Sequence, residues 1–184
     1  VTGDAAENGR ETAALSSRWR LNRLDWLLLA AVLTVAGATR LVGIEGFPIY
    51  FFCDEAHQAN LAHDLVANGL RDEDGNLLPA YFRNVRVFNL GLSVYLHALP
   101  VTLFGKTVLV VRATSVLVGL LGTAALMLAL KWFFALRLWW AGGLVMATLP
   151  ASFLHSRTAF ETAMMAGFYA TFVLAYLLYR EASA

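Results

Sequence analysis

Apolar residues in this chain fall in long unbroken blocks, neither in the alternation of a half-buried strand nor in the one-sided stripe of a soluble helix. The block Trp26 to Ile44, WLLLAAVLTVAGATRLVGI, approaches the roughly 20 apolar residues that carry a helix across a bilayer core. We take 24–44 as a first span, with Arg40 close enough to its end for the guanidinium to snorkel. The block Ala113 to Leu130 is framed by Lys106, Arg112 and Lys131 and predicts a second span from about Thr107. Trp139 to Leu154 and Thr158 to Tyr179 read as a hairpin of two more spans whose tip is HSR, His155 to Arg157. Phe88 to Phe104 is apolar but short and carries His97 and Pro100; it is placed on the membrane surface, with a further span as the alternative. The pattern predicts an all-α, multi-pass protein of about four spans, with three of them in 107–184.

The polar residues concentrate in 45–106 and in an N-terminal arm, 1–23. In the first of these, Ala59, Ala62, Leu65, Val66 and Gly69 recur at helical spacing, which predicts an amphipathic surface helix with His57, Gln58, Asn60, His63 and Asp64 on its wetter side. RDEDGNLLP, Arg71 to Pro79, predicts a tight turn around Asp74-Gly75. Its acids lack the glycine and glutamate positions of a calcium loop.

Composition agrees: 59% hydrophobic and 15% charged residues among 184, with a mean hydropathy of +0.60, describe a membrane protein rather than a soluble domain. A net charge of +1, with no basic stretch interleaved with aromatics, excludes a nucleic-acid partner. The one cysteine, Cys53, cannot form an internal disulfide. The arm, the first apolar block and Ala36-Gly37-Ala38 imitate a cleavable leader, but the apolar run continues to Ile44, so the segment is read as retained. Arg18, Arg20 and Arg23, then Lys131 and Arg137, then Arg180 fall on one side of the predicted spans, and that side is predicted to be cytoplasmic. Trp132, Trp139 and Trp140 mark its boundary, while 45–106 and the HSR tip face outward.

Two groups of residues then carry candidate chemistry. Asp54 and Glu55 stand at the start of the surface helix, and Arg40, Arg83, Arg86, Arg112 and Arg157 lie at similar depth. A carboxylate that removes a proton, beside guanidiniums that grip a phosphate, is what group transfer from a lipid phosphate requires. The same Asp54 also fits an N-cap, with Glu55 favoured in the first turn, and both roles stand together. Glu161 is placed to pair with Arg157 one helical turn away. His57 and His63, six apart, do not share a helix face and predict no metal site.

The order RLVGIEGFPIYFFCDEA, DEDGNLLP, NLGLSVYLHALPVTLFGKTVLVVRATSVLVGLLGTAAL and LPASFLHSRTAFETAM resembles the N-terminal portion of GT-C fold glycosyltransferases, most nearly the bacterial protein O-mannosyltransferase and aminoarabinose transferase group. The resemblance covers Leu24 to Tyr179. It implies an inner-membrane enzyme that moves a sugar, with inversion, from a polyprenyl-phosphate donor to an acceptor outside the cytoplasm. By the same resemblance Asp54 is the general base or an acceptor-orienting acid, Glu55 accompanies it and Arg157 faces the donor phosphate, while the residue pattern adds Arg112, Arg83 and Arg86 as phosphate-binding candidates. Glu161 is a supporting acid where the mannosyltransferases carry aspartate. Many relatives use no cofactor, and the expectation here is none, although the oligosaccharyltransferase branch needs a divalent metal. Family enzymes have many more spans, which implies that this chain either is a fragment of a larger protein or does not complete a donor site by itself. A non-catalytic assembly module and a transporter subunit are the competing classes; the uncharged centres of the third and fourth spans disfavour the transporter.

Overall fold

The computed structural model describes residues 19–84 and 87–183. Arg18 and Arg86 lie outside the described residues, as does most of the polar arm. Helix α1 (Arg23–Leu41) begins at a reciprocal cap, in which Asn22 Oδ1 accepts from the Asp25 amide at 2.8 Å and Asp25 Oδ2 accepts from the Asn22 amide at 2.9 Å. It stops at Leu41, short of the expected Ile44, because Val42 turns extended and Gly43 adopts φ +64°. An irregular loop over 42–52 leads into α2 (Cys53–Ala67), which ends where Gly69 and Leu70 both take φ +64°.

The predicted turn follows, closed by an isolated bridge between Arg71 and Leu77 with Gly75 at φ +83°. Asp72 braces it by accepting from the Asn76 amide and side chain at 2.8 and 3.0 Å, and the Asn76 side chain is the main reason the Asp72 pKa lies below its ordinary value.

Next comes an element that the all-α expectation lacked. Strands β1 (Tyr81–Asn84) and β2 (Val87–Leu90) form an antiparallel hairpin with Phe82 opposite Asn89. Tyr81 and Arg83 are exposed while Phe82 is buried, the period of two that a half-buried strand requires. Phe82 packs with Leu61, Ala62, Leu65 and Val94 into the small core of the polar region. Val94 belongs to α3 (Gly91–Phe104), a helix of 14 residues, or about 21 Å at 1.5 Å per residue, shorter than a bilayer core. His97 ties α3 to the next helix, with Nδ1 2.8 Å from the Ser93 carbonyl and Nε2 3.1 Å from that of Val111. Burial pushes its pKa below the ordinary histidine value, against the pull of those two carbonyls.

Helices α4 (Val108–Trp132), α5 (Trp139–Thr148), α6 (Pro150–Ser156) and α7 (Glu161–Ala182) complete the chain. Among the described residues, α1, α4 and α7 are long and apolar enough to cross a membrane. The expected third span, Trp139 to Leu154, is instead two short helices. Pro150 has no N–H to give the Met146 carbonyl, so the helical ladder breaks there. Arg40 supplies the missing donors: Nη2 reaches the Met146 carbonyl at 2.8 Å and Ser152 Oγ at 3.2 Å, and Nε reaches Ser156 Oγ at 2.8 Å. Its side chain is 4% exposed, so it does not snorkel.

The start of α1 and the end of α4 share one end of the molecule, where Lys131 Nζ lies 2.5 Å from Asp25 Oδ1 and 5.1 Å from the centre of the Trp139 ring. Trp139 is buried there among Leu29, Val32 and Met127 and so does not sit in an outer aromatic belt. Helices α4 and α7 approach closely at Gly122 and Gly167, and a Cβ on Gly167 would fall 2.5 Å from the Val118 carbonyl oxygen. Gly167→Val is therefore expected to push the two helices apart and to cost about 1–3 kcal/mol, read as earlier unfolding in a detergent melt, whereas a surface control such as Val173→Ala leaves the melt in place.

Candidate functional site

The loop over 42–52 has no helix or strand to satisfy its carbonyls, and two buried arginines do so instead. Arg157, at the end of α6, donates from Nη1 to the carbonyls of Thr39 and Val42, both at 2.9 Å, and from Nε to that of Phe47 at 3.0 Å. Its guanidinium rests against the rings of Phe47 and Phe153, 5.6 and 5.3 Å from their centres. Arg112, in the first turns of α4, donates to the carbonyls of Ile44, Pro48 and Tyr50 at 2.8–3.0 Å. Its remaining donors meet Glu55 in a two-point pair, Nε to Oε1 at 3.0 Å and Nη2 to Oε2 at 3.1 Å. All five guanidinium N–H groups are thereby occupied, and the side chains of Arg112 and Glu55 are 1% and 0% exposed.

Glu55 is equally committed. Oε1 also accepts from the Ala159 amide at 3.0 Å and Oε2 from the Phe52 amide at 3.1 Å, so one carboxylate joins the start of α2, the start of α4 and the turn before α7. The cap expected of Asp54 is in fact made by Glu55, because α2 begins one residue earlier than Asp54 and places Glu55 at its third position.

Asp54 is left free. It is exposed, and among the described residues its carboxylate meets only the Cys53 thiol, at 3.9 Å. It borders a cleft of about 350 Å³ lined also by Gln58, Asn84, Asn89, Phe160 and Glu161. Glu161, at the start of α7, does not pair with Arg157; its Oε2 accepts from the Leu90 amide at 2.6 Å and fixes the end of the hairpin to α7. None of the described residues lining the cleft is a lysine, arginine or histidine. Arg83 pairs with Asp74 at 3.3 Å, both half exposed, and does not line the cleft.

The structure thus brings Asp54, Glu55, Arg112, Arg157 and Glu161 to one end of the molecule but divides their work. Arg112, Arg157 and Glu55 hold the loop and the helix start, Glu161 holds the hairpin from the wall of the cleft, and Asp54 is exposed beside it. The expectation that Arg112 grips a phosphate meets a plain obstacle, because Arg112 has no donor left; Arg157 is 3% exposed and gives Nε and Nη1 to three carbonyls, which do not engage Nη2.

Gln58, Asn84 and Asn89 were missed. The sequence pattern puts Gln58 on the wetter side of α2, yet it is 1% exposed. Its spacing from Leu61, Ala62 and Leu65 is that of one helix face, and this was the available signal.

A second cavity, of about 420 Å³ and mostly apolar, lies between α4, α6 and α7, and Thr162 borders both it and the acidic cleft. Set against protein-family models, curated proteins and solved structures, the chain matches none.

Proposed function

We propose that this chain carries the acceptor side of a membrane-embedded, inverting glycosyl transfer from a polyprenyl-phosphate sugar, with Asp54 as the general base. The observation that carries it is the contrast within the acid pair: Glu55 is consumed by Arg112 and two backbone amides, while Asp54 is held exposed at the mouth of a polar cleft. A base on a rigid helix start, braced by buried charge, is positioned without being neutralised. In the step, Asp54 takes the proton of an acceptor hydroxyl, the hydroxyl oxygen forms the new bond to the anomeric carbon, and the bond from that carbon to the lipid phosphate breaks. The apolar cavity that shares Thr162 with the cleft as a lining residue suits an isoprenoid chain. The countercharge for the phosphate then comes from cations other than Arg112, whose donors are all engaged. Arg83 is a candidate, since its exposed pair with Asp74 is worth little, and Arg86 is another. Glu161 supports the site by anchoring the hairpin. The site faces away from the cytoplasm in the inner membrane. The test is transfer of labelled sugar from a polyprenyl-phosphate donor by the protein in membranes, wild type against Asp54→Asn. Transfer is expected to vanish in the variant, and undiminished transfer overturns the assignment.

A further inference from the structure

The floor of the acidic cleft holds a chain of side-chain amides. Asn84 Nδ2 donates to Asn89 Oδ1 at 2.8 Å, and Asn89 Nδ2 donates in turn to Gln58 Oε1 at 3.2 Å. The chain runs from the hairpin into α2 and stops at Gln58 Nε2, which is buried and has no hydrogen-bond partner among the described residues. A buried amide N–H without an acceptor costs about 1–3 kcal/mol, so natural structures rarely tolerate one without a reason. Here the neighbours supply the reason. Gln58 lines the same cleft as the exposed carboxylate of Asp54 and the carboxylate of Glu161, with the rings of Phe88 and Phe160 as walls.

The chemistry of that lining selects a ligand class. A phosphate or carboxylate would meet two carboxylates and, among the described residues, no cation. A bare cation would satisfy the acids but offer nothing to the amide N–H. A neutral polyhydroxylated ring answers both, because each hydroxyl donates to a carboxylate and accepts from an amide, while its C–H face packs on an aromatic ring. The volume, about 350 Å³, lies at the small end of the ~300–1,000 Å³ range of ligand sites, so it suits a single ring.

We propose that Gln58 is a positioning residue, the last donor of the Asn84–Asn89–Gln58 relay, which holds through Nε2 a hydroxyl oxygen of a neutral glycoside seated against Asp54. The proposal rests on reading the cleft as the transfer site, and it adds that this part of the site excludes the donor phosphate.

The experiment measures binding and stability separately, with the full chain in detergent micelles. Methyl α-mannopyranoside and inorganic phosphate are the probes, binding is read by saturation-transfer NMR and stability by thermal melting. Wild type is expected to bind the glycoside, and phosphate is expected not to displace it. Gln58→Met keeps the length of the side chain and removes the donor. It is expected to raise the glycoside Kd about tenfold, while in the melting temperature the lost acceptor for Asn89 Nδ2 offsets the removal of the unsatisfied Nε2. Gln58→Glu, which keeps the acceptor for Asn89 but cannot donate when ionised, is the second variant and is expected to show the same loss. A lower melting temperature with unchanged Kd in either variant would show a purely structural glutamine and overturn the proposal, as would displacement of the glycoside by phosphate. The two readings also fail separately. Gln58-dependent glycoside binding without any sugar transfer removes the enzyme and leaves the relay, whereas Asp54-dependent transfer whose acceptor KM ignores Gln58→Met removes the relay and leaves the enzyme.

Discussion

Arg112→Met is expected to destabilise the protein by about 3–5 kcal/mol, the usual cost of stranding one partner of a buried ion pair. The substitution leaves Glu55, 0% exposed, without its cation, and at the same time leaves the carbonyls of Ile44, Pro48 and Tyr50 without donors. Chemical or thermal unfolding of the purified protein in detergent measures it. The double variant Arg112→Met/Glu55→Met is expected to recover part of the loss, since it removes the stranded charge, but not all, since the loop carbonyls and the Phe52 and Ala159 amides stay unpaired. An Arg112 whose task was to bind phosphate would behave differently. Its loss would weaken donor binding and leave unfolding where it was, and a destabilisation under about 1 kcal/mol would favour that role.

Asp54→Asn should produce the opposite pattern: a drop in sugar transfer of about 10²–10⁴-fold, the range of a general base, with unfolding unchanged. Asp54 is exposed and makes no capping bond, so the isosteric amide removes proton-accepting ability and little else. The fold-change is read from initial rates at saturating acceptor and donor. Glu55→Gln serves as the control that separates the two acids. It weakens the pair with Arg112, so its effect on transfer should travel with a lowered melting temperature, whereas that of Asp54→Asn should not. Loss of transfer in Glu55→Gln at full stability, with Asp54→Asn still active, would reverse the roles of the two residues.

These contrasts follow from a feature that runs through the whole structure: buried arginines are spent on backbone. Arg40 serves the break at Pro150, Arg157 the end of α1, and Arg112 the loop that follows it. Irregular backbone next to a bilayer needs such donors, because lipid supplies none. That loop also exposes Ile49 and Tyr50 at 77% and 74%, so the side chains outside it are apolar while its polar groups are turned inward onto guanidinium.

The sequence alone determined the membrane-length helices α1, α4 and α7, since a long apolar block with at most two charged residues has few other places to go. It also drew attention to Asp54, Glu55, Arg112, Arg157 and Glu161, which the structure brings to one end of the molecule. Local pattern could not say which of them face each other. The break at Pro150 was written in the chain and was passed over, because apolar composition outweighed one missing N–H. The hairpin was legible in the alternation around Phe82, but Tyr81–Asn84 falls in the part of the outer loop given no element and Phe88 to Leu90 in the stretch read as a surface helix. What only the tertiary structure decided is the division of labour between neighbours. Asp54 and Glu55 are adjacent acids in the first turn of one helix, and successive side chains there project about 100° apart. One of them therefore turned inward to Arg112, 57 residues away, and the other outward to the cleft. A charge finds its partner across that distance only once the helices have packed, and the partner decides whether the charge holds the fold or is left free to act.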